Sequence, residues 1–180
     1  MIDESFIRYI DRSPERVLLN QLLVDNPAAG CTMMFNRSLR DMALQIHDIN
    51  HIEMHDIWLL ALAATHGAGH VGVIKEPLVY YRQHDENEMG AVAEHTAQKI
   101  VRNLSDIYDG EVFRRKRNFI RKARNLAEQL SLVKEVPETQ KKFLSEFANI
   151  GSKRKWQRIR FYKMHHIDRL HGTKWMYLWV

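Results

Sequence analysis

A chain of 180 residues with 45% hydrophobic content can bury a core, and no apolar run in it reaches the roughly 18 residues of a membrane span. No hydrophobic stretch follows Met1, which argues against a secretory leader, and the single cysteine, Cys31, excludes an internal disulfide framework and points to the cytoplasm. The net charge of +5 conceals a division: residues 1–90 carry 7 Lys/Arg against 13 Asp/Glu, whereas residues 91–180 carry 20 against 9.

Ser13-Pro14-Glu15 combines a hydroxyl cap, Pro at the first helical position and an acid in the first turn. With Val17, Leu18, Leu22 and Leu23 at helical spacing it predicts a helix over 14–24, which Asn26-Pro27 ends. Residues 30–35 are short and apolar and read as a buried strand. Asn36 is placed to cap a helix over 37–44, and the polar, His-rich residues 45–55 read as an irregular connection. From Asp56 the chain is almost entirely strong helix formers up to Gly67, where a left-handed residue is expected; that helix is apolar nearly all round and should be buried. Residues 71–74 and 78–81 read as short strands joined at Lys75-Glu76-Pro77. The resulting order predicts an α/β or α+β arrangement. After Gly90 the sequence turns long, charged and helix-favouring, with a break at Val136-Pro137, a further helix to about residue 150, and a basic, aromatic segment from Lys153. Two units are therefore expected, 1–90 and 91–180.

Three stretches place chargeable groups at the ends of apolar runs: Gly30-Cys31-Thr32 with Asn36-Arg37, His55-Asp56-Ile57-Trp58, and Tyr81-Arg82-Gln83-His84. Asp56 opens a helix, where unpaired amides and the positive dipole end favour a carboxylate. Taken alone it reads first as an N-terminal cap; the alternative is a carboxylate held rigidly to take a proton from an attacking hydroxyl. Trp58 reads as core packing or as a wall for a sugar ring. Arg82 and His84 alternate onto one side of an extended chain and could share an anionic ligand, the guanidinium on phosphate and the imidazole on a divalent cation. His47, His51 and His55 are four apart, with Asp48 and Asp56 beside them. On one helix they would form a metal cluster of the kind used by HD-type phosphohydrolases, against which the expected strands weigh.

Taken in order, Asn26, Gly30-Cys31-Thr32, Asn36-Arg37, His55-Asp56-Ile57-Trp58, Gly67, Tyr81-Arg82-Gln83-His84 and Asn87 resemble the second half of a family 2 glycosyltransferase of GT-A fold, particularly its bacterial rhamnosyltransferase-like members. The resemblance covers residues 15–90 and is loose beyond. It implies a hexosyltransferase acting in cell-surface polysaccharide synthesis, which moves a sugar, by resemblance rhamnose, from a nucleotide-diphosphate donor to a saccharide or lipid-linked acceptor. Asp56 would be the general base. Gly30, Cys31, Thr32, His55 and Trp58 would border the acceptor, Arg82 and Gln83 would meet the diphosphate, and His84 would hold Mn²⁺ or Mg²⁺. The family's nucleotide-binding half, with its Asp-rich metal motif, does not precede these residues. The resemblance therefore implies an incomplete GT-A-type C-terminal half that is inactive alone, with the N-terminal half as a partner and the divalent metal bound only when that half is present.

The basic second half is expected to meet something anionic. Lys153, Arg154, Lys155, Arg158, Arg160 and Lys163, interleaved with Trp156, Phe161 and Tyr162, suit a segment lying on an anionic membrane leaflet with its aromatic edges inserted, so that the chain would be cytoplasmic and peripheral to a membrane. A nucleic-acid-binding or helical interaction protein is the non-enzymatic alternative; it would be built on residues 114–124, seven of which are basic, although no helix-turn-helix, zinc or RNA-binding motif accompanies them.

Overall fold

The computed structural model describes residues 17–74, 76, 78–79 and 111–167, and the regular structure among them is helical. The helices are α1 (Leu19–Leu22), α2 (Arg37–Ala43), α3 (His55–Ala64), α4 (Glu111–Leu132), α5 (Glu138–Ala148) and α6 (Lys155–Met164). Short 3-10 turns lie at Gly30–Thr32, Ile49–His51, Ala68–His70 and Ile150–Ser152. No strand occurs among the described residues, which overturns the α/β expectation and with it the incomplete GT-A-type half.

The reason is local at residues 30–35. The Thr32 amide and hydroxyl both donate to the Ala29 carbonyl, at 2.9 and 2.8 Å, and this closes a tight turn where a strand is predicted. Met33 is extended, with φ −98° and ψ 141°, but extension without a ladder partner is not a strand. Met34 is 95% exposed, so the run is not buried either. Val73, Ile74, Leu78 and Val79 are likewise exposed in irregular chain, and residues 80–81 lie outside the described residues.

The helical expectations fare better. Asn36 Oδ1 accepts the Leu39 amide at 2.9 Å and starts α2 as a side-chain cap. In α3, Trp58, Leu59, Leu60, Ala61, Leu62 and Ala64 are all buried, as expected of a helix without a polar face. Thr65 ends it by donating its hydroxyl to the Leu62 carbonyl at 2.7 Å, and Gly67 then takes φ 104°, which a side chain would strain. Of the helix predicted over 14–24, residues 19–22 are helical and residues 14–16 lie outside the described residues.

In α4 the buried residues Ile120, Ala123, Leu126, Ala127 and Leu130 recur at three- and four-residue steps, a stripe that faces Leu144 and Phe147 of α5 across the break at Val136-Pro137. Pro137 lacks an amide proton and precedes the first turn of α5, where none is needed. Helix α6 closes with a Schellman motif: the Ile167 amide reaches the Tyr162 carbonyl at 3.0 Å, the His166 amide reaches the Lys163 carbonyl at 3.3 Å, and His166 takes φ 49°. Ile167, fully buried, supplies the apolar contact that accompanies this motif.

One buried cluster joins the α1–α3 segment to the α4–α6 segment. Asn20 of α1 donates to the carbonyls of His165 and His166 at 2.7 and 3.3 Å, and thereby ties the first described residues to the last. Phe161 and Tyr162, expected to insert into a membrane, instead pack in this core. Phe161 stacks parallel to Phe143, and Tyr162 meets Phe147 edge-on with centroids 6.1 Å apart. Aromatic area of this size gains more by burial against other rings than by remaining in water.

Candidate functional site

The N-terminal turn of α3 gathers residues from both of the first two motifs. Asp56 is the second residue of the helix and only 2% exposed. Its Oδ1 accepts the Asn26 amide group at 3.0 Å and the Ile57 backbone amide at 2.6 Å. Asn26 in turn uses its own Oδ1 to accept the Ala28 amide at 3.1 Å, an Asx turn that bends the chain immediately before Gly30. Gly30 then lies directly beneath His55, so close that a Cβ there would overlap the imidazole. The absence of a side chain at Gly30 is what lets the turn and the helix end meet. His55 itself is exposed, with its ring lying over Gly30.

The helix dipole and the nearby amides supply positive potential at this point, which accounts for a carboxylate side chain at this position. One carboxylate oxygen is fully engaged in holding Asn26 and the first turn together. An arrangement of this kind can anchor the loop at 26–30, and it keeps a buried carboxylate in fixed orientation beside the His55–Gly30 contact.

The other expected site residues separate into three groups. Cys31 and Thr32 are exposed at the rim of the same turn, although the Thr32 hydroxyl is directed back to Ala29. Trp58 is not at the surface: it is 5% exposed and donates its indole N–H to the Ala43 carbonyl at 3.2 Å, so it packs α3 against α2 and forms no sugar-facing wall. Arg82, Gln83 and His84, with Asn87, lie outside the described residues.

The histidine series does not form a cluster. His51 lies in the 3-10 turn at Ile49–His51 and His55 starts α3, so His47, His51 and His55 do not share one helix face. No group of three His, Cys, Asp or Glu residues among the described residues could hold a metal ion. Among the described residues the absence of strands removes one objection to the HD-type reading, while His47, His51 and His55 are not brought onto one helix there. Gln129 of α4 explains the conformation of this segment. It is buried, accepts the amides of His47 and Asp48 at 3.2 and 2.9 Å, and lies 3.4 Å from His51 Nδ1.

Asn26 and Gln129 are the two residues whose roles sequence reasoning missed. Asn26 preceding Pro27 signals a turn, and Gln129 interrupts an otherwise apolar stripe on α4, but neither signal names the distant partner.

The basic run at 114–124 is partly structural. Arg124 donates to the Ala148 carbonyl at the end of α5, at 2.6 Å, and Lys122 pairs with Glu53. No helix among the described residues is long and apolar enough to cross a membrane. No protein-family model, curated protein or solved structure matches this chain.

Proposed function

We propose that the α3 N-terminus is the acceptor-binding part of a sugar-transferring enzyme, with Asp56 as the general base. The observation that carries the reading is the convergence of Asn26, Gly30, His55 and Asp56, residues spread over thirty positions that the family resemblance also groups together. The reading rests on these residues and not on the GT-A fold.

In this reading Asn26 and the Ile57 amide fix Oδ1, so that Oδ2 is the oxygen that takes a proton. An acceptor hydroxyl reaches it when the His55 ring lifts from Gly30. The bare backbone at Gly30 then leaves room for a pyranose ring against the turn. The proton lost by the acceptor passes to Asp56 as the acceptor oxygen attacks the anomeric carbon of a nucleotide-diphosphate sugar and the diphosphate leaves. The donor unit, with a divalent cation to offset the developing charge, is supplied by residues or a partner outside those described.

The test has two arms. Titration of the chain with saccharides, followed by NMR, should move the Gly30 amide and the His55 ring signals together; unchanged signals at millimolar saccharide would remove the acceptor site. In a transfer assay with the chain joined to a nucleotide-binding half, Asp56→Asn should lower kcat by a hundredfold or more while leaving saccharide binding in place, on the order of general-base contributions. A variant that loses thermal stability but retains kcat would leave Asp56 a clasp and no base.

A further inference from the structure

Between residues 151 and 167 the chain has six Lys and Arg residues and no Asp or Glu. Burial of Phe161 and Tyr162 fixes which way α6 faces. On the opposite side Trp156, Arg160 and Lys163 fall at positions i, i+4 and i+7, which share one helix face, and all three are exposed. Met164 continues the face, and Lys155 and Arg154 edge it at the N-terminal end. Trp156 and Met164 are each 59% exposed, a large apolar area to leave in water among cations. Arg160 and Lys163 form no ion pair among the described residues.

We infer that this face of α6 docks the protein on an anionic lipid leaflet, with Arg160 and Lys163 at the headgroup phosphates and Trp156 and Met164 at the boundary with the acyl chains. Charge complementarity selects an anionic surface, and the exposed indole and thioether select lipid over nucleic acid. An indole flanked by cations gains by settling at the headgroup level, where its ring is desolvated and its N–H remains hydrogen-bonded. The face offers no carboxamide for base edges, since Gln157 is half-buried and its Oε1 accepts the Arg154 amide at 2.9 Å. It is also the convex side of a single helix, without the groove in which single strands are held. The aromatic contribution comes from Trp156 alone among the three aromatics at 156–162, because Phe161 and Tyr162 are committed to the core. The inference stands independently of the role given to Asp56.

Cosedimentation of the full chain with vesicles decides it. At physiological ionic strength the chain should bind phosphatidylcholine vesicles containing one-third phosphatidylglycerol and leave pure phosphatidylcholine vesicles in the supernatant. Arg160→Gln and Lys163→Gln should each weaken binding roughly fivefold, and Trp156→Ser should weaken it further at unchanged charge. All three side chains are exposed, so circular dichroism and the thermal midpoint should not change. Equal binding to neutral and anionic vesicles, absence of binding, or tighter binding to an oligonucleotide than to the anionic vesicles would each overturn the inference.

Discussion

The segment around α1–α3 and the segment around α4–α6 contribute to one core by opposite means. Helices α4 and α5 are amphipathic: each buries a stripe against the other and leaves a charged face to water, so their sequence states both where the helix lies and which side it packs. Helix α3 is apolar all round and only ten residues long, so it has no preferred side of its own. It becomes buried because α1, α2 and α4 enclose it. Around it, Met34, Leu44, Ile74 and Leu78 remain well exposed, whereas comparable side chains in the second segment, Leu144, Phe147 and Ile150, are fully buried. The lesson is that apolar content alone does not decide burial; periodicity shared with a partner does.

The strongest way to break this comparison is Phe147→Ala set against Met34→Ala. Phe147 is fully buried between Phe161 and Tyr162, so its truncation should cost about 3–5 kcal/mol, whereas that at Met34 should cost less than about 0.5 kcal/mol. Denaturant unfolding measures both, and similar losses would refute the distinction. Because one cluster spans the two segments, Phe147→Ala should also lower the protection of α3 amides in hydrogen exchange, not only those of α5.

A smaller effect is expected at the site. Asn26→Ala removes the side-chain donor that holds buried Asp56, and should cost about 1–3 kcal/mol in the same unfolding experiment. A stability within a few tenths of the parent would mean that the turn at 26–30 is held by the backbone alone. Smaller still, His166→Gly should stabilise by about 0.5–1 kcal/mol, because His166 has φ 49° and glycine adopts that region without the steric cost of a Cβ. A lower thermal midpoint would show that the imidazole makes up the difference.

The gentlest probe is pH. Burial beside Phe143 and Phe161 lowers the His165 pKa from its ordinary value of 6.5; nearby Glu146 opposes this and His166 reinforces it. Between that depressed value and 6.5 the unfolded chain binds more protons at this residue than the folded one. The His165 contribution is therefore complete above pH 6.5 and is lost as pH falls through the depressed folded value. Thermal midpoints measured on both sides of pH 6.5 should differ more in the parent than in His165→Gln, and equal differences would remove this assignment.

Local chemistry made part of this protein legible in its sequence. Asn36 before a helix former gives a cap, Gly67 after an apolar helix gives a stop, and Val136-Pro137 separates two helices, because each effect is decided within a few residues. That Asp56 lies in the first turn of an apolar helix was also readable, because the run of helix formers begins there. The strands at 30–35 and 71–74 were misread for a non-local reason: short apolar runs resemble strands, but a strand exists only where a second one pairs with it. Trp58 was ambiguous for the same kind of reason, because an indole on an all-apolar helix can face a ligand or a neighbour, and only the carbonyl of Ala43 settled it.

Composition, caps and periodicity by themselves determined the α2, α3, α4 and α5 helices and the charge division between the halves. Only the tertiary structure decided that Asn26 grips Asp56, that Gln129 holds the His47–Asp48 backbone, and that Trp156 stays in water while Phe161 and Tyr162 do not. Those outcomes depend on which groups meet between separate elements, and desolvation rewards a buried polar or aromatic side chain only after its partner is in place.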